Sequence, residues 1–332
     1  MKFKLSKSEL VLAIGSVLLG LGMAGTAQAD AYSFSNVNLD AFQILGSAGQ
    51  GTLSLTTATR TAAGAANFQG YLGQTNSNAT NPPGVTTYPV VCAGPASSPC
   101  PGGPGSLPPA SYLPAGNSVE YSRADSYAAD SPLTTGATAR SLSEISMKSP
   151  GFAVSDASLG LTGVLKLSTA ETLQFTFNAS RDLVVTTSKL GDTALASILD
   201  VFNVQCYKNP ISGANSPGCS DADVAAGLIL FQFSPNGVTA GNINGKDEVD
   251  PFSLNLAIGS VNGAVTADVS DPSTRFSLTS DFSFGAGEYL VNLALNSHAD
   301  VFVSKVPEPG SLALMGLGLL GVGVSRRRKA TK

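Results

Sequence analysis

The sequence predicts an all-β protein, an antiparallel, jelly-roll-like β-sandwich, on two observations. Segment after segment alternates apolar and polar residues with a period of two, the spacing that puts one face of a strand in a core. Glycine and proline separate these segments at the intervals expected of turns: Gly is 36 and Pro 19 of 332 residues. Residues 32–39 open the series, and 41–45 and 52–58 continue it. Residues 75–118 break the style with Pro82, Pro83, Pro101, Pro104, Pro108 and Pro109. They read as one long exposed insertion. From 151 onward the strands become regular: 160–168, 172–178, 183–188, 198–206, 227–233, 252–258 and 276–280. Arg181-Asp182 is expected to turn the chain between two of them. Segments 289–295 and 299–304 read as a closing strand pair. Residues 191–199 and 220–228 are the two candidates for short helices. No internal repeat is evident.

Composition removes several functions. Only 13% of residues are charged, about half the usual quarter, and no Lys/Arg surplus exists to neutralise phosphates, so nucleic acid is not an expected partner. A single histidine rules out a multi-histidine metal site, and there is no Trp.

The two ends carry signals of their own. Lys2, Lys4 and Lys7 precede an apolar run over 10–25, and Ala27-Gln28-Ala29 supplies small residues at the recognition positions. This is a secretory signal peptide, with cleavage expected between Ala29 and Asp30 and with the Sec translocon and signal peptidase as partners. An uncleaved anchor is disfavoured because the small-residue site follows the apolar run directly. At the other end come Val306, Pro307, Glu308 and Pro309, then an apolar, Gly-rich run over 312–324, then Arg326, Arg327, Arg328 and Lys329. As a helix, residues 310–325 reach about 24 Å. That falls short of a hydrocarbon core of about 30 Å, though flanking arginines can snorkel. The Arg cluster stays on the cytoplasmic side, so the preceding body lies across the membrane.

This order of features over 306–329 resembles the PEP-CTERM sorting signal of Gram-negative bacteria. The resemblance implies recognition by an exosortase, a membrane-embedded Cys-dependent transpeptidase-like enzyme that cuts near Pro307-Glu308-Pro309 and discards the helix. It also implies an inner-membrane intermediate, then a place on the cell surface or in the extracellular matrix of a bacterium that makes exopolysaccharide. A plain C-terminal membrane anchor is the alternative. The expected domains are therefore a signal peptide (1–29), an exported β-rich body (30–305) and a sorting segment (306–329). Without the signal and the C-terminal basic cluster, 11 Lys/Arg face 22 Asp/Glu, Asp30 and Glu308 included, a net charge of about −11 that would repel polyanions and attract Ca²⁺.

Four cysteines, an even number in an exported chain, suggest disulfides. Of the three connectivities, Cys92–Cys100 and Cys206–Cys219 are favoured, since each pair brackets a loop rich in Pro, Gly and Ser. No CxxC pair offers a zinc site.

Candidate chemistry is sparse. His298 has Ser297 and Asp300 beside it in sequence, and alternation decides whether they meet. Asp247, Glu248 and Asp250 cluster beside a Gly turn and form a weak Ca²⁺ candidate, although their spacing is not that of an EF-hand; Asp221 and Asp223 are a weaker pair. No other cofactor is expected. Arg123 and Asp125, in a segment that resembles patterns of exosortase-dependent proteins, read as a local pair on a strand surface. With no Trp, the platform for a sugar would fall to tyrosines such as Tyr71, Tyr88, Tyr112, Tyr121 and Tyr127, and ordinary packing or loop surface is the preferred reading of them. The expected function is a non-enzymatic exported surface or matrix protein associated with exopolysaccharide and biofilm. The alternatives are a carbohydrate-binding module for exopolysaccharide and a secreted glycoside hydrolase, which would need two facing carboxylates.

Overall fold

Alternation becomes strand where a neighbouring segment takes the backbone hydrogen bonds and a second layer covers the apolar face. The computed structural model describes residues 30–48, 53–69, 71–72, 79–81, 90–95, 119–129, 136–235, 242–261 and 265–305. The stretch Ala29–Val303 forms one unit, and the segments Met1–Gln28 and Ser304–Lys332 fall outside it. Its strands are β1 (Ala31–Gly46), β2 (Leu53–Phe68), β3 (Tyr71–Leu72), β4 (Ala79–Asn81), β5 (Val90–Ala93), β6 (Tyr121–Ala129), β7 (Ala137–Met147), β8 (Gly151–Leu167), β9 (Leu173–Thr187), β10 (Thr193–Gln205), β11 (Ile229–Phe233), β12 (Gly245–Val249), β13 (Leu256–Val261), β14 (Val265–Ser280) and β15 (Gly287–Val303). The helix α1 (Asp221–Ala225) is capped by Ser220, whose side chain accepts from the Asp223 amide while the Asp223 carboxylate accepts from the Ser220 amide.

The strands form two antiparallel sheets. One has the order β12-β14-β9-β1-β7-β6-β5. The other has the order β11-β10-β15-β8-β2-β3, with β13 also on β10 and β4 also on β2. The all-β sandwich expected from sequence is the observed architecture. The first and last strands both lie in sheet interiors, β1 between β9 and β7 and β15 between β10 and β8.

Several strands are longer than the local pattern suggested. The closing pair is instead one continuous strand, β15, of 17 residues. Asn296 and His298 do not turn the chain, because Leu295, Ser297 and Ala299 keep an unbroken inward face. Arg181-Asp182 is likewise not a turn but mid-strand in β9, where Arg181 is held by Asp271 on β14 at 2.6 Å. Residues 193–199 are strand rather than helix. Ala194, Ala196 and Ile198 point inward, and both edges of β10 find partners in β15 and β13, which overrides the helix preference of Ala and Leu. The insertion near 75–118 contributes two short strands, β4 and β5; most of it lies outside the described residues. In β1 a bulge at Ala41, with φ +55°, shifts the register against both neighbours. It switches the inward positions from Val37 and Leu39 to Phe42 and Ile44.

The core has two unlike halves. Around Phe42, Phe175, Phe177, Phe202, Phe231 and Phe276 the rings fill a wide gap, with Phe175 and Phe202 centroids 4.3 Å apart and Phe177 stacked on Phe276 at 5.0 Å. Toward β6, β7 and the start of β1, the inward positions are largely Ser and Ala, with Ile145 and Met147 at the end of β7. Here serine hydroxyls donate across the gap to carbonyls of the other sheet: Ser35 to Ser197 (2.7 Å), Ser143 to Ser297 (2.7 Å), Ser141 to Ala157 (3.0 Å) and Ser122 to Val154 (2.9 Å). Ser297 donates back to the Ser141 carbonyl at 2.9 Å. Facing Cα atoms of β7 and β15 come within 8 Å, closer than the roughly 10 Å of ordinary stacked sheets. A Cβ on Gly64 would stand 3.3 Å from Ala124. The sandwich is therefore a wedge, thin where it is hydroxyl-lined and thick where it is phenyl-lined.

Candidate functional site

The titratable side chains that converge do so on the outer face of the β1-containing sheet. Register places Arg123 of β6 opposite Glu144 of β7, and Glu144 opposite Phe34 of β1. One row along, Tyr121, Ser146 and Tyr32 are aligned. Arg123 lies 3.1 Å from Glu144 and 3.2 Å from Asp125, with side-chain exposures of 0%, 0% and 2%. The Tyr32 hydroxyl donates to Glu144 Oε1 at 2.6 Å, and Tyr121 also hydrogen-bonds Glu144. Arg123 and Asp125 thus form the pair read from sequence, but as a buried pair rather than a surface one. The reason is their apolar surround of Tyr32, Phe34, Tyr127 and Leu142.

Burial governs the chemistry of this cluster. It pushes the Asp125 carboxyl up to about 7, with Arg123 pulling down and Glu144 pushing up. It also drives both tyrosines far above their ordinary range, with Glu144 adding to the effect. The arrangement joins side chains of three strands and leaves at most 2% of any of its three charged side chains exposed. The partners of Arg123 were only half legible in sequence: Asp125 is two residues away, whereas Glu144 is brought in by strand pairing.

Asp200 is a second buried acid. It points inward from β10 beside a pocket walled by Leu39, Phe177, Phe202, Phe233, Leu254 and Leu293. Its Oδ2 has no hydrogen-bond partner, and its one amide donor, Asn296, is 3.4 Å away. Desolvation lifts its carboxyl well above the carboxylate range, against the pull of Asn296. Sequence gave no signal for this group beyond a polar residue at an inward position.

His298 stands on the exposed face of the other sheet. Its Nδ1 is 2.6 Å from Asp156 Oδ1 on β8, and this contact, opposed by desolvation, raises its pKa above the usual 6.5. Ser297 points the opposite way into the seam, as period two requires. Ser197 of β10 does stand across from His298, so Ser197, His298 and Asp156 share one row. Among the described residues no hydrogen bond links Ser197 to the imidazole, and a nucleophile needs that bond.

Asp247 and Glu248 are consecutive on β12, where a register shift between Asp247 and Val249 interrupts the pairing with β14. Asp247 takes a 2.7 Å hydrogen bond from Asn242. Among the described residues no three His, Cys, Asp or Glu side chains come together as a metal site. Asp221 holds Lys208 at 2.7 Å, while Asp223 serves the α1 cap. Tyr121 and Tyr127 are buried. No side-chain placement is described for Tyr71, and Tyr88 and Tyr112 lie outside the described residues. Cys206 and Cys219 form a disulfide with Cα atoms 6.0 Å apart. Cys92 is also disulfide-bonded, and Cys100 lies outside the described residues.

Asp30 opens the described chain, donating its amide to Ser188 Oγ at 2.8 Å. Ala27 and Ala29, the motif Val306, Pro307, Glu308 and Pro309, the apolar run and the cluster Arg326, Arg327, Arg328 and Lys329 all lie outside it. Among the described residues no helix is long and apolar enough to cross a membrane. Residues 305–329 match the family model for the PEP-CTERM protein-sorting motif. The chain carries a PEP-CTERM signal. Neither a curated protein nor a solved structure matches the chain. PEP-CTERM sorting marks an exported, membrane-transiting protein with an exosortase as its processing partner.

Proposed function

We propose that the chain is a non-enzymatic surface or extracellular-matrix protein of a Gram-negative bacterium, exported by its signal peptide, held briefly in the inner membrane and released by an exosortase. Association with exopolysaccharide in a biofilm follows from that sorting route. The observation that carries the reading is the PEP-CTERM match at 305–329. A second observation supports a structural body: its converging charges, Arg123, Glu144 and Asp125, are sealed from solvent. The carbohydrate-binding alternative loses Tyr121 and Tyr127 as platforms, because both are buried.

Intact-mass measurement of the cell-surface form, in cells with and without the exosortase, tests the proposal. The expected wild-type mass lacks residues beyond the Pro307-Glu308-Pro309 region, and deletion of the enzyme restores them. A wild-type surface form that keeps Arg326, Arg327 and Arg328 would overturn it.

A further inference from the structure

Both segments that carry membrane signals leave the sandwich at the same end. Ala31, the first residue of β1, pairs with Thr187, the last of β9. The turn 188–192 then delivers the chain to Thr193, which pairs with Phe302, next to the end of β15. The route out of β15 toward the sorting segment and the route into β1 from the signal segment therefore share one rim. That rim also holds the β7–β8 turn, since Ala31 pairs with Met147 and Val303 with Gly151.

The two ends of the body differ chemically. At this rim, Leu190 is 77% exposed at the tip of the β9–β10 turn, and the cross-strand pair Phe152 and Phe302 is 50% and 46% exposed. Lys148, Lys189 and Lys305 stand there against Asp30, Glu120 and the buried Asp192, and Glu120 is engaged by the amides of Lys148 and Ser149. The opposite end, about 55 Å away along β15 at the usual rise, carries Asp221, Asp223, Asp247, Glu248, Asp281 and Glu288 against Lys166, Lys208 and Lys246. The two ends thus differ in charge, balanced at this rim and acidic at the far end, although the far end also exposes Ile211 (95%) and Leu228 (44%).

We propose that this rim, through Leu190, Phe152 and Phe302, rests on the lipid bilayer surface while the chain is anchored. The inference rests on the sorting reading. The eight residues 304–311 between β15 and the apolar run reach at most about 28 Å even fully extended, half the length of the body. The rim is thereby held beside the lipid, and a short tether gives its apolar groups a high effective concentration there. Leucine and phenylalanine tips insert at the headgroup boundary, and lysines beside them meet lipid phosphates. The acidic far end is repelled by the same anionic surface and points away. Cutting the tail removes the tether, so this contact weakens as soon as the exosortase has acted.

The absence of Trp makes the test direct, because any introduced Trp is the sole reporter. The full chain is prepared as Leu190→Trp, Phe302→Trp and, at the far end, Ile211→Trp, where Ile211 is 95% exposed. Each is reconstituted in phosphatidylethanolamine–phosphatidylglycerol vesicles whose acyl chains carry bromine. Each is checked for co-flotation and for an unchanged melting temperature. Severalfold stronger quenching and a blue shift at positions 190 and 302, relative to 211, is the expected result. Chains that float with all three positions quenched alike, or with none quenched, overturn the docking and leave the sorting reading intact. Failure of the chain to float at all overturns both.

Discussion

The guanidinium of Arg123 lies 3.1 Å from the Glu144 carboxylate across the β6–β7 pair, and neither side chain has exposed surface. Removing Glu144 leaves the buried Arg123 with Asp125, 3.2 Å away, as its remaining carboxylate and takes the acceptor from the Tyr32 hydroxyl. Breaking a buried pair costs about 3–5 kcal/mol, whereas replacing every charge of a buried group by apolar side chains is often close to neutral. Glu144→Ala is therefore expected to destabilise the body by that amount in urea unfolding. The triple variant Arg123→Met, Asp125→Leu and Glu144→Leu, which leaves none of the three charges behind, is expected to lose less than Glu144→Ala. A triple variant less stable than Glu144→Ala would show that the cluster does more than satisfy itself.

The hydroxyl-lined seam gives a prediction of unusual sign. Ser143→Ala removes one hydrogen bond and leaves the Ser297 carbonyl unserved by it, a loss of about 1 kcal/mol. Ser143→Leu adds apolar surface at a buried site yet is expected to cost more, about 1–3 kcal/mol or above, because the sheets have no room to part. Denaturant titration of both variants ranks them. A Leu variant as stable as the Ala variant would contradict the close approach.

Protonation should favour the folded state over the range where most acids do the opposite. The Asp125 carboxyl, pushed up to about 7 by burial, binds a proton in the folded chain at pH values where the unfolded group, near 3.9, has lost it. Stability therefore falls as pH rises from about 4 to 7. Asp200, raised by the same cause, acts in the same direction. His298, raised by Asp156, keeps its stabilising charge below 6.5 and loses it as pH climbs through its folded value. Asp221 and Asp223 are lowered and titrate below this window. Calorimetry is expected to give a higher melting temperature at pH 5 than at pH 8, and Asp200→Asn is expected to flatten the profile. A melting temperature that rises with pH would refute the assignment.

The Cys206–Cys219 bridge closes a loop of 13 residues in sequence separation, for which chain entropy suggests about 3 kcal/mol. The excursion it closes is tied to the sheet by Ser216, whose hydroxyl donates to the Glu288 carbonyl at 2.6 Å. Replacing both cysteines by serine should lower stability by about that amount and speed amide exchange chiefly between residues 206 and 228. Exchange that rises uniformly over all strands would show the bridge to be integral to the core.

Strand existence was legible because half-buried strands must alternate, and Phe175 and Phe177, or Leu293 and Leu295, do so without interruption. Strand ends were less legible. Arg181-Asp182 has turn chemistry, yet Asp271 on β14 neutralises the arginine in place. The Ala41 bulge reverses the inward parity, which a fixed period of two cannot anticipate. His298 was visible as the single imidazole, but its partner Asp156 is 142 residues away in sequence.

What the sequence determined alone is what local chemistry can encode: a β-rich body, paired cysteines around a loop, and a tail whose motif, apolar run and arginines are each read linearly. What only the tertiary structure decided is which side chains share an environment. Arg123 is buried beside Glu144, Asp200 is desolvated in an apolar pocket, and the exits of β1 and β15 fall on one rim. Those outcomes depend on strand order and register, because burial and proximity are set by neighbours distant in sequence and by no residue's own preference.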